Sequence, residues 1–154
     1  MRELEVVGVR VEMPTNQPLV LLREMEGTRY LPIWIGAVEA SAIAYAQEGA
    51  ETSRPLTHEL MQQIVLALAD ELEEVRIVDV RDGVFFALLV FASGAEVEAR
   101  PSDSIALALR SGTRIVCTED VLDEAGIQST REEDEEVERF REFLDEVGPQ
   151  DFVE

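Results

Sequence analysis

A β-strand is predicted to end and an α-helix to begin within the stretch Ala99-Arg100-Pro101-Ser102-Asp103-Ser104-Ile105-Ala106-Leu107-Ala108-Leu109-Arg110. Before it, residues 96–99 alternate between polar and apolar side chains, which is typical of a strand. Pro101 cannot donate a hydrogen bond to a sheet, Ser102 offers an N-cap oxygen, and an apolar helical run begins at Ile105. Because the first N–H groups of a helix are unpaired and lie at its positive end, we expect this junction to suit an anion or a reacting group.

The chain before this junction predicts three strands and two helices. The predicted strands cover residues 3–13, 19–22 and 30–35, and the predicted helices cover 37–47 and 58 to about 71. Gly36 precedes the first helix, and Thr57 is a candidate cap of the second. The second helix carries one apolar stripe, which consists of Leu60, Ile64, Leu68 and Leu72.

The same order of elements then recurs. Strands are predicted at 75–80, 84–91 and 95–99, followed by a helix at 102–110, a short strand at 113–118 and a small helix at 119–125. Asp82-Gly83 supplies a hairpin turn. Segments 37–46 and 99–108 share the pattern Ile-Ala-x-Ala. We therefore predict an α+β fold with mixed sheets, built from two similar strand-strand-strand-helix-helix halves at about 1–72 and 73–127.

Residues 128–154 differ in character from this predicted domain, which covers residues 1–127. They hold 11 acidic and 3 basic side chains and therefore carry −8 of the formal net charge of −20. Apolar residues at positions 137, 140, 143, 144 and 147 predict an amphipathic helix. Such a helix packs either on its own subunit or on a partner chain.

The composition limits the classes of function. The chain has 13 arginines, no lysine and a net charge of −20, so binding to a phosphate backbone would need a divalent cation or a local arginine cluster. There is no apolar run of 18 residues and no basic-then-apolar leader, so we expect a soluble, cytoplasmic protein without membrane contact. The single cysteine, Cys117, excludes an internal disulfide and a multi-cysteine zinc site, and we expect it to be a buried strand thiol.

Several segments, taken together, resemble the bifunctional nuclease family. They are Leu31-Pro-Ile-Trp-Ile-Gly36 followed by Glu39-Ala40, Arg54-Pro-Leu-Thr-His-Glu-Leu60, Arg81-Asp-Gly-Val-Phe-Phe-Ala87, Ala99-Arg-Pro-Ser-Asp-Ser-Ile-Ala-Leu-Ala108, and Phe140-Arg-Glu-Phe-Leu-Asp145 with Pro149. The resemblance implies an α+β domain that assembles as a homodimer or a higher homo-oligomer. For some members it also implies an activity that degrades both RNA and DNA. It assigns no catalytic residues, so these have to be sought by their chemistry.

Two carboxylates are the candidates for a metal ligand or a general base. Phosphodiester hydrolysis needs an activated water, stabilisation of a charged transition state and help for the leaving oxygen. Asp103 and Glu39, at corresponding places in the two halves, could hold Mg²⁺ or Mn²⁺ for this purpose, and no organic cofactor is expected. The alternative is that both acids only stabilise a helix start through the helix dipole.

Four further side chains complete the candidate site. His58, the only histidine, could be a general base or acid, and the alternative is a local hydrogen-bonding role. Arg54 and Arg100 each precede a proline, which holds them in extended backbone where a guanidinium could clamp a phosphate or pair with nearby acids. Ser102 joins them as a candidate substrate-binding residue.

These residues predict a nuclease that hydrolyses phosphodiester bonds in RNA and DNA with the help of a divalent metal. The alternative is a non-catalytic dimeric module that binds a small anionic ligand or a protein partner. If Asp103, Glu39 and His58 converge in one cleft, the two-carboxylate mechanism is possible, whereas wide separation of the carboxylates removes it.

Overall fold

The computed structural model describes residues 1–128, which form one mixed sheet and four helices. The strands are β1 (Arg2–Glu12), β2 (Gln17–Glu24), β3 (Arg29–Trp34), β4 (Leu72–Arg81), β5 (Val84–Phe91), β6 (Glu96–Ala99), β7 (Arg114–Cys117) and β8 (Ile127–Gln128). The helices are α1 (Ala37–Glu48), α2 (Thr57–Ala67), α3 (Pro101–Ser111) and α4 (Glu119–Ala125).

The sheet consists of two antiparallel meanders that are joined through β7. Its strand order is β6-β5-β4-β7-β1-β2-β3-β8, and β7 pairs parallel to β4 and antiparallel to β1. The predicted hairpin turn is confirmed, because Asp82 and Gly83 both have positive φ and connect the paired residues Arg81 and Val84. The predicted α+β class is therefore confirmed, while the relation between the two halves stays a prediction.

Helix α3 lies at the centre of the layer that packs on the sheet. Its residues Ile105 to Ala108 are all buried, and it contacts α1 and α2 as well as strands β4, β5 and β7. Small buried side chains on both α1 and α3, such as Ala40 and Ala106, allow these two helices to approach closely. This packing brings residues from the first helical turns of α1, α2 and α3 into contact.

The start of α3 differs from the predicted one by one residue. The helix begins at Pro101, its N-cap residue is Arg100, and no side chain caps it, so the N-cap role of Ser102 was wrong. Proline is favoured at the first helical position because its missing N–H would have no partner there. The Ser104 hydroxyl instead donates a hydrogen bond of 2.8 Å to the Arg100 carbonyl oxygen.

Helix α2 differs from its prediction at both ends and in the face that it buries. It begins at Thr57, with Leu56 as the N-cap residue, and ends at Ala67, shortly before Ala69 adopts a positive φ. The predicted stripe does not face the core, because Leu60, Ile64 and Leu68 are exposed, and the fourth member, residue 72, is the first of β4.

The amphipathic helix predicted within residues 128–154 and the domain boundary near residue 127 lie outside what the structure describes, apart from Gln128 in β8. No helix within residues 1–128 is long and apolar enough to cross a membrane.

Candidate active site

His58 and Asp103 form a side-chain pair between the first turns of α2 and α3. The distance from His58 Nε2 to Asp103 Oδ1 is 3.1 Å, and both side chains are partly buried. A carboxylate can only accept hydrogen bonds, so the pair requires a proton on Nε2 of the imidazole. The other ring nitrogen, Nδ1, forms no hydrogen bond within residues 1–128 and is free to accept a proton.

Arg100 links Asp103 to Glu39 on α1. Its Nε and Nη2 atoms lie 3.0 and 2.9 Å from Asp103 Oδ2, and its Nη1 atom lies 3.2 Å from Glu39 Oε1. The hydrogen bond with Asp103 is the main cause that raises the pKa of Arg100, so the guanidinium stays charged. Arg100 is also the most exposed member of the set, with 63% of its side chain accessible.

The position of the Glu39 carboxylate depends on Gly36. Gly36 is the N-cap residue of α1, and Glu39 lies in the first turn of that helix. A Cβ atom added to Gly36 would collide with the carboxylate of Glu39, which folds back over the helix start. The missing side chain at residue 36 therefore leaves the space that Glu39 occupies while it contacts Arg100.

The structure thus brings together four of the six predicted site residues: Glu39, His58, Arg100 and Asp103. The other two are not part of this contact network. Arg54 is exposed and forms no ion pair within the described part of the chain, and Ser102 is buried in the first turn of α3.

The described residues do not form a ready binding site for a divalent metal ion. Within residues 1–128 there is no group of three or more histidine, cysteine or acidic side chains that could hold a metal ion. The guanidinium of Arg100 contacts both Glu39 and Asp103, and the second oxygen of Asp103 contacts His58. The donor set therefore does not fit Mg²⁺ or Mn²⁺ as it stands, and metal assistance stays a prediction.

A second charged cluster, centred on Glu24 at the end of β2, was not predicted. Glu24 is 3% exposed and accepts hydrogen bonds from Arg29 at 2.6 Å and from Arg2 at 2.9 Å. Arg29 also pairs with Glu119 and Asp123 of α4. The hydrogen bond from Arg29 is the main cause that lowers the pKa of Glu24. Strand alternation places residue 24 on the same face as the buried residues 20 and 22, and this inward acid was the signal available in the sequence.

Cys117 lies in β7 with no exposed surface, as predicted for a strand thiol. Burial raises its pKa to about 12, so the thiol stays protonated at neutral pH and does not act as a nucleophile.

The chain belongs to the bifunctional nuclease family. The sequence model of the bifunctional nuclease domain matches residues 20–130, a range that contains Glu39, His58, Arg100 and Asp103. The fold class and the family predicted from the sequence are both confirmed.

Two proteins of Mycobacterium tuberculosis are similar to almost the whole chain. Uncharacterized protein MT1877 (strain CDC 1551 / Oshkosh) and uncharacterized protein Rv1829 (strain ATCC 25618 / H37Rv) are each 53% identical to it over 161 residues. The matches cover 99% of this chain and 98% of each relative. The similarity extends beyond residues 20–130 at both ends. The names of these relatives state no activity.

Proposed function

We propose that the chain is a nuclease that hydrolyses phosphodiester bonds at the cluster of Glu39, His58, Arg100 and Asp103. The observation that carries the proposal is the contact between these side chains, which come from three different helices. Family membership supports the class of substrate. Neither alone would be sufficient, because acids and arginines at helix starts also occur for structural reasons.

His58 is the general base in this proposal, and Asp103 is its positioning residue. With the proton of the imidazole on Nε2, the other ring nitrogen, Nδ1, forms no hydrogen bond within the described part of the chain, and it takes the proton from water. The carboxylate of Asp103 fixes the ring and stabilises the imidazolium that forms, as an acid does beside a catalytic histidine. Water is the nucleophile, since a nuclease that cleaves DNA as well as RNA cannot depend on a 2′-hydroxyl group.

Arg100 binds the phosphate and stabilises its developing charge. The guanidinium is planar, stays charged and is the most exposed group of the cluster, so a substrate phosphate meets it first. The water oxygen forms a bond to phosphorus while the bond from phosphorus to the leaving oxygen breaks. The proton that His58 accepted then moves to that oxygen, directly or through solvent. Glu39 holds the far side of Arg100 and keeps the guanidinium aligned.

The test is the cleavage of labelled single-stranded RNA and DNA oligonucleotides by the purified chain. Asp103→Asn removes the charge that positions His58 and Arg100, so we expect cleavage to fall by about 10² or more. Asp123→Asn is the matched control, because Asp123 is also a helical acid that pairs with an arginine, but it lies on α4 and its partner is Arg29 of the Glu24 cluster. It should cleave at the rate of the unmodified chain.

Each assay is run with EDTA, with Mg²⁺ and with Mn²⁺, so that the predicted metal dependence is measured in the same series. Cleavage that survives Asp103→Asn, or that is lost equally in Asp123→Asn, contradicts the proposal. Unfolding temperatures of both variants separate a loss of chemistry from a loss of fold.

The alternative is a module that binds a small anionic ligand without hydrolysis. The exposed guanidinium groups of Arg54 and Arg100 favour it, since either could contact an anion whether or not His58 takes part. In that case the oligonucleotides stay intact with every metal, and titration calorimetry with inorganic phosphate shows binding that Arg100→Gln weakens.

A further inference from the structure

Helix α2 is held on the rest of the chain by few apolar contacts, although it carries His58. None of its residues is buried, and Met61 and Val65, which pack against the core, are partly exposed. Its main packing partner is α3, the helix that carries Asp103. Apolar contacts are non-directional, so they do not by themselves fix where the start of α2 lies along α3.

A largely buried ion pair joins the same two helices. Glu59, in the first turn of α2, lies with its Oε1 atom 3.3 Å from Nη1 of Arg110, in the last turn of α3. Only 20% of the Glu59 side chain and 11% of the Arg110 side chain are exposed, so salt and solvent screen this pair weakly. The same Nη1 atom donates a hydrogen bond of 2.9 Å to the carbonyl oxygen of Ala50, in the connection between α1 and α2. Arg110 therefore contacts both α2 and the segment that leads into it.

The Glu59 carboxylate is held by charge and not by an aligned hydrogen bond. Its Oε1 atom is buried and forms no hydrogen bond within residues 1–128. Because burial removes the water that would otherwise solvate a carboxylate, this group depends on its counter-ion, which among the described residues is Arg110. Glutamine has the same shape as glutamate but no charge, so Glu59→Gln removes the attraction and keeps the packing.

Two neighbouring residues of α2 thus contact two residues of α3. Asp103 and Arg110 are seven positions apart, which is about two helical turns and places them on one face of α3. We propose that Glu59 and Arg110 are positioning residues for His58: their contact fixes α2 where the imidazole forms its hydrogen bond to α3. Buried polar and ionic groups can select one register between two helices in this way.

The first measurement follows His58 directly and does not depend on catalysis. His58 is the only histidine, so its ring gives a single set of nitrogen and proton signals in the NMR spectrum of the untagged chain. Asp103→Asn supplies the reference positions of a ring that has lost its carboxylate partner. We expect Glu59→Gln to move the signals toward those positions, whereas Glu119→Gln should leave them unchanged. Glu119 is the matched control, since it also lies in the first turn of a helix, α4, and pairs with an arginine.

The second measurement is kinetic and rests on the proposed hydrolysis. Arg100, which binds the phosphate in that proposal, is held by Glu39 and Asp103 and not by α2. Displacement of the base alone should therefore lower kcat of Glu59→Gln by about 10-fold or more and leave KM for the oligonucleotide within about 2-fold. Arg110→Met should have the same effect, and Arg110→Lys, which keeps the charge, should recover part of the rate.

The ring signals of His58 decide the proposal, and the amide spectrum of each variant checks that it is folded. Signals that stay at their original positions in Glu59→Gln overturn it, as do signals that move equally in Glu119→Gln. So does Arg110→Lys if it displaces the signals as far as Arg110→Met, because the charge would then not be what holds α2. If the unmodified chain cleaves no oligonucleotide, the proposed hydrolysis fails, and the ring signals still show whether the ion pair positions His58.

Discussion

At the scale of single residues, the candidate site depends on one absent side chain. Gly36 has φ −83°, a value that any residue adopts, so the backbone conformation does not require glycine at this position. Glycine is explained instead by the lack of room for a side chain. The space is filled by the carboxylate of Glu39, which reaches Arg100 from there. Gly36 thus contributes to the site although it has no side chain, because it leaves the room that Glu39 needs to reach Arg100.

Gly36→Ala should therefore impair function more than stability. The added methyl group displaces the Glu39 carboxylate and leaves Arg100 aligned by Asp103 alone, so we expect the cleavage rate to fall by roughly 10-fold. The free energy of unfolding should change by less than about 1 kcal/mol, since alanine is allowed at this φ.

Gly83→Ala is the matched comparison for Gly36→Ala. Gly83 has φ 78° in the hairpin turn and open space around it, so alanine should cost about 1 kcal/mol of stability while activity per folded molecule stays unchanged. Full activity in Gly36→Ala would show that Glu39 is not needed to hold Arg100.

At the scale of secondary-structure elements, the Glu24 cluster ties β1, β2 and β3 to α4. Glu24 lies at the end of β2, Arg2 and Arg29 lie at the starts of β1 and β3, and Arg29 reaches two acids of α4. Because the carboxylate is buried, its charge is tolerated only while the two guanidinium groups remain in place. We infer that α4 docks on the sheet through this cluster as well as through the buried Val121 and Leu122.

Glu24→Gln should reduce stability in a manner that depends on pH. The lowered pKa of Glu24 means that its contribution is fully present above the pKa of an unfolded glutamate and is lost as pH falls through the folded pKa. We expect the variant to lose about 3 kcal/mol at pH 7, the usual cost of breaking a buried ion pair. Urea unfolding at several pH values should show that the difference in the free energy of unfolding between Glu24→Gln and the unmodified chain becomes smaller at acidic pH.

Asp79→Asn is the control for this effect. The pKa of Asp79 is also lowered, chiefly by a hydrogen bond from Arg81, but the pair is exposed. Solvent screens such a pair, so its loss should be nearly neutral. A stability difference for Glu24→Gln that stays constant from pH 7 down to pH 3 would contradict the role assigned to the cluster.

At the scale of the whole molecule, the net charge of −20 opposes the compact state. Raising NaCl from about 0.01 M to about 1 M shortens the Debye length from about 30 Å to about 3 Å, which screens repulsion between exposed acids. We expect the unfolding temperature to rise with NaCl, as measured by scanning calorimetry. A steady fall would mean that exposed ion pairs, and not repulsion, dominate the surface.

The parts of the structure that the sequence predicted are those that depend on local patterns. Strand alternation, the Asp82-Gly83 turn and the Arg100-Pro101 junction each follow from a few neighbouring residues. The contact between Glu39 and Arg100 joins residues 61 positions apart and depends on how closely α1 packs against α3, which no local pattern reports. The sequence named both residues as candidates, but it could not show that they touch.

The apolar stripe predicted on α2 shows that periodicity alone does not predict which face of a helix is buried. Helical spacing correctly grouped Leu60 and Ile64, while Leu68 lies just beyond the end of α2. Periodicity cannot tell a face that packs on its own subunit from one that is left exposed. Met61 and Val65 form the inner face instead, because α2 is apolar on both sides. Which face of α2 is exposed depends on how the helix packs against α3.

We propose that His58, held by Asp103, is the base that activates water for phosphodiester cleavage. The most direct measurement is the rate at which His58→Ala cleaves single-stranded RNA and DNA oligonucleotides, with and without added imidazole, at matched folded concentration. We expect a loss of about 10²–10⁴-fold that imidazole partly restores, because the cavity left beside Asp103 admits the missing ring. Undiminished cleavage by His58→Ala would show that His58 is not the base, and no cleavage by the unmodified chain under any of the metal conditions would show that the chain is not a nuclease.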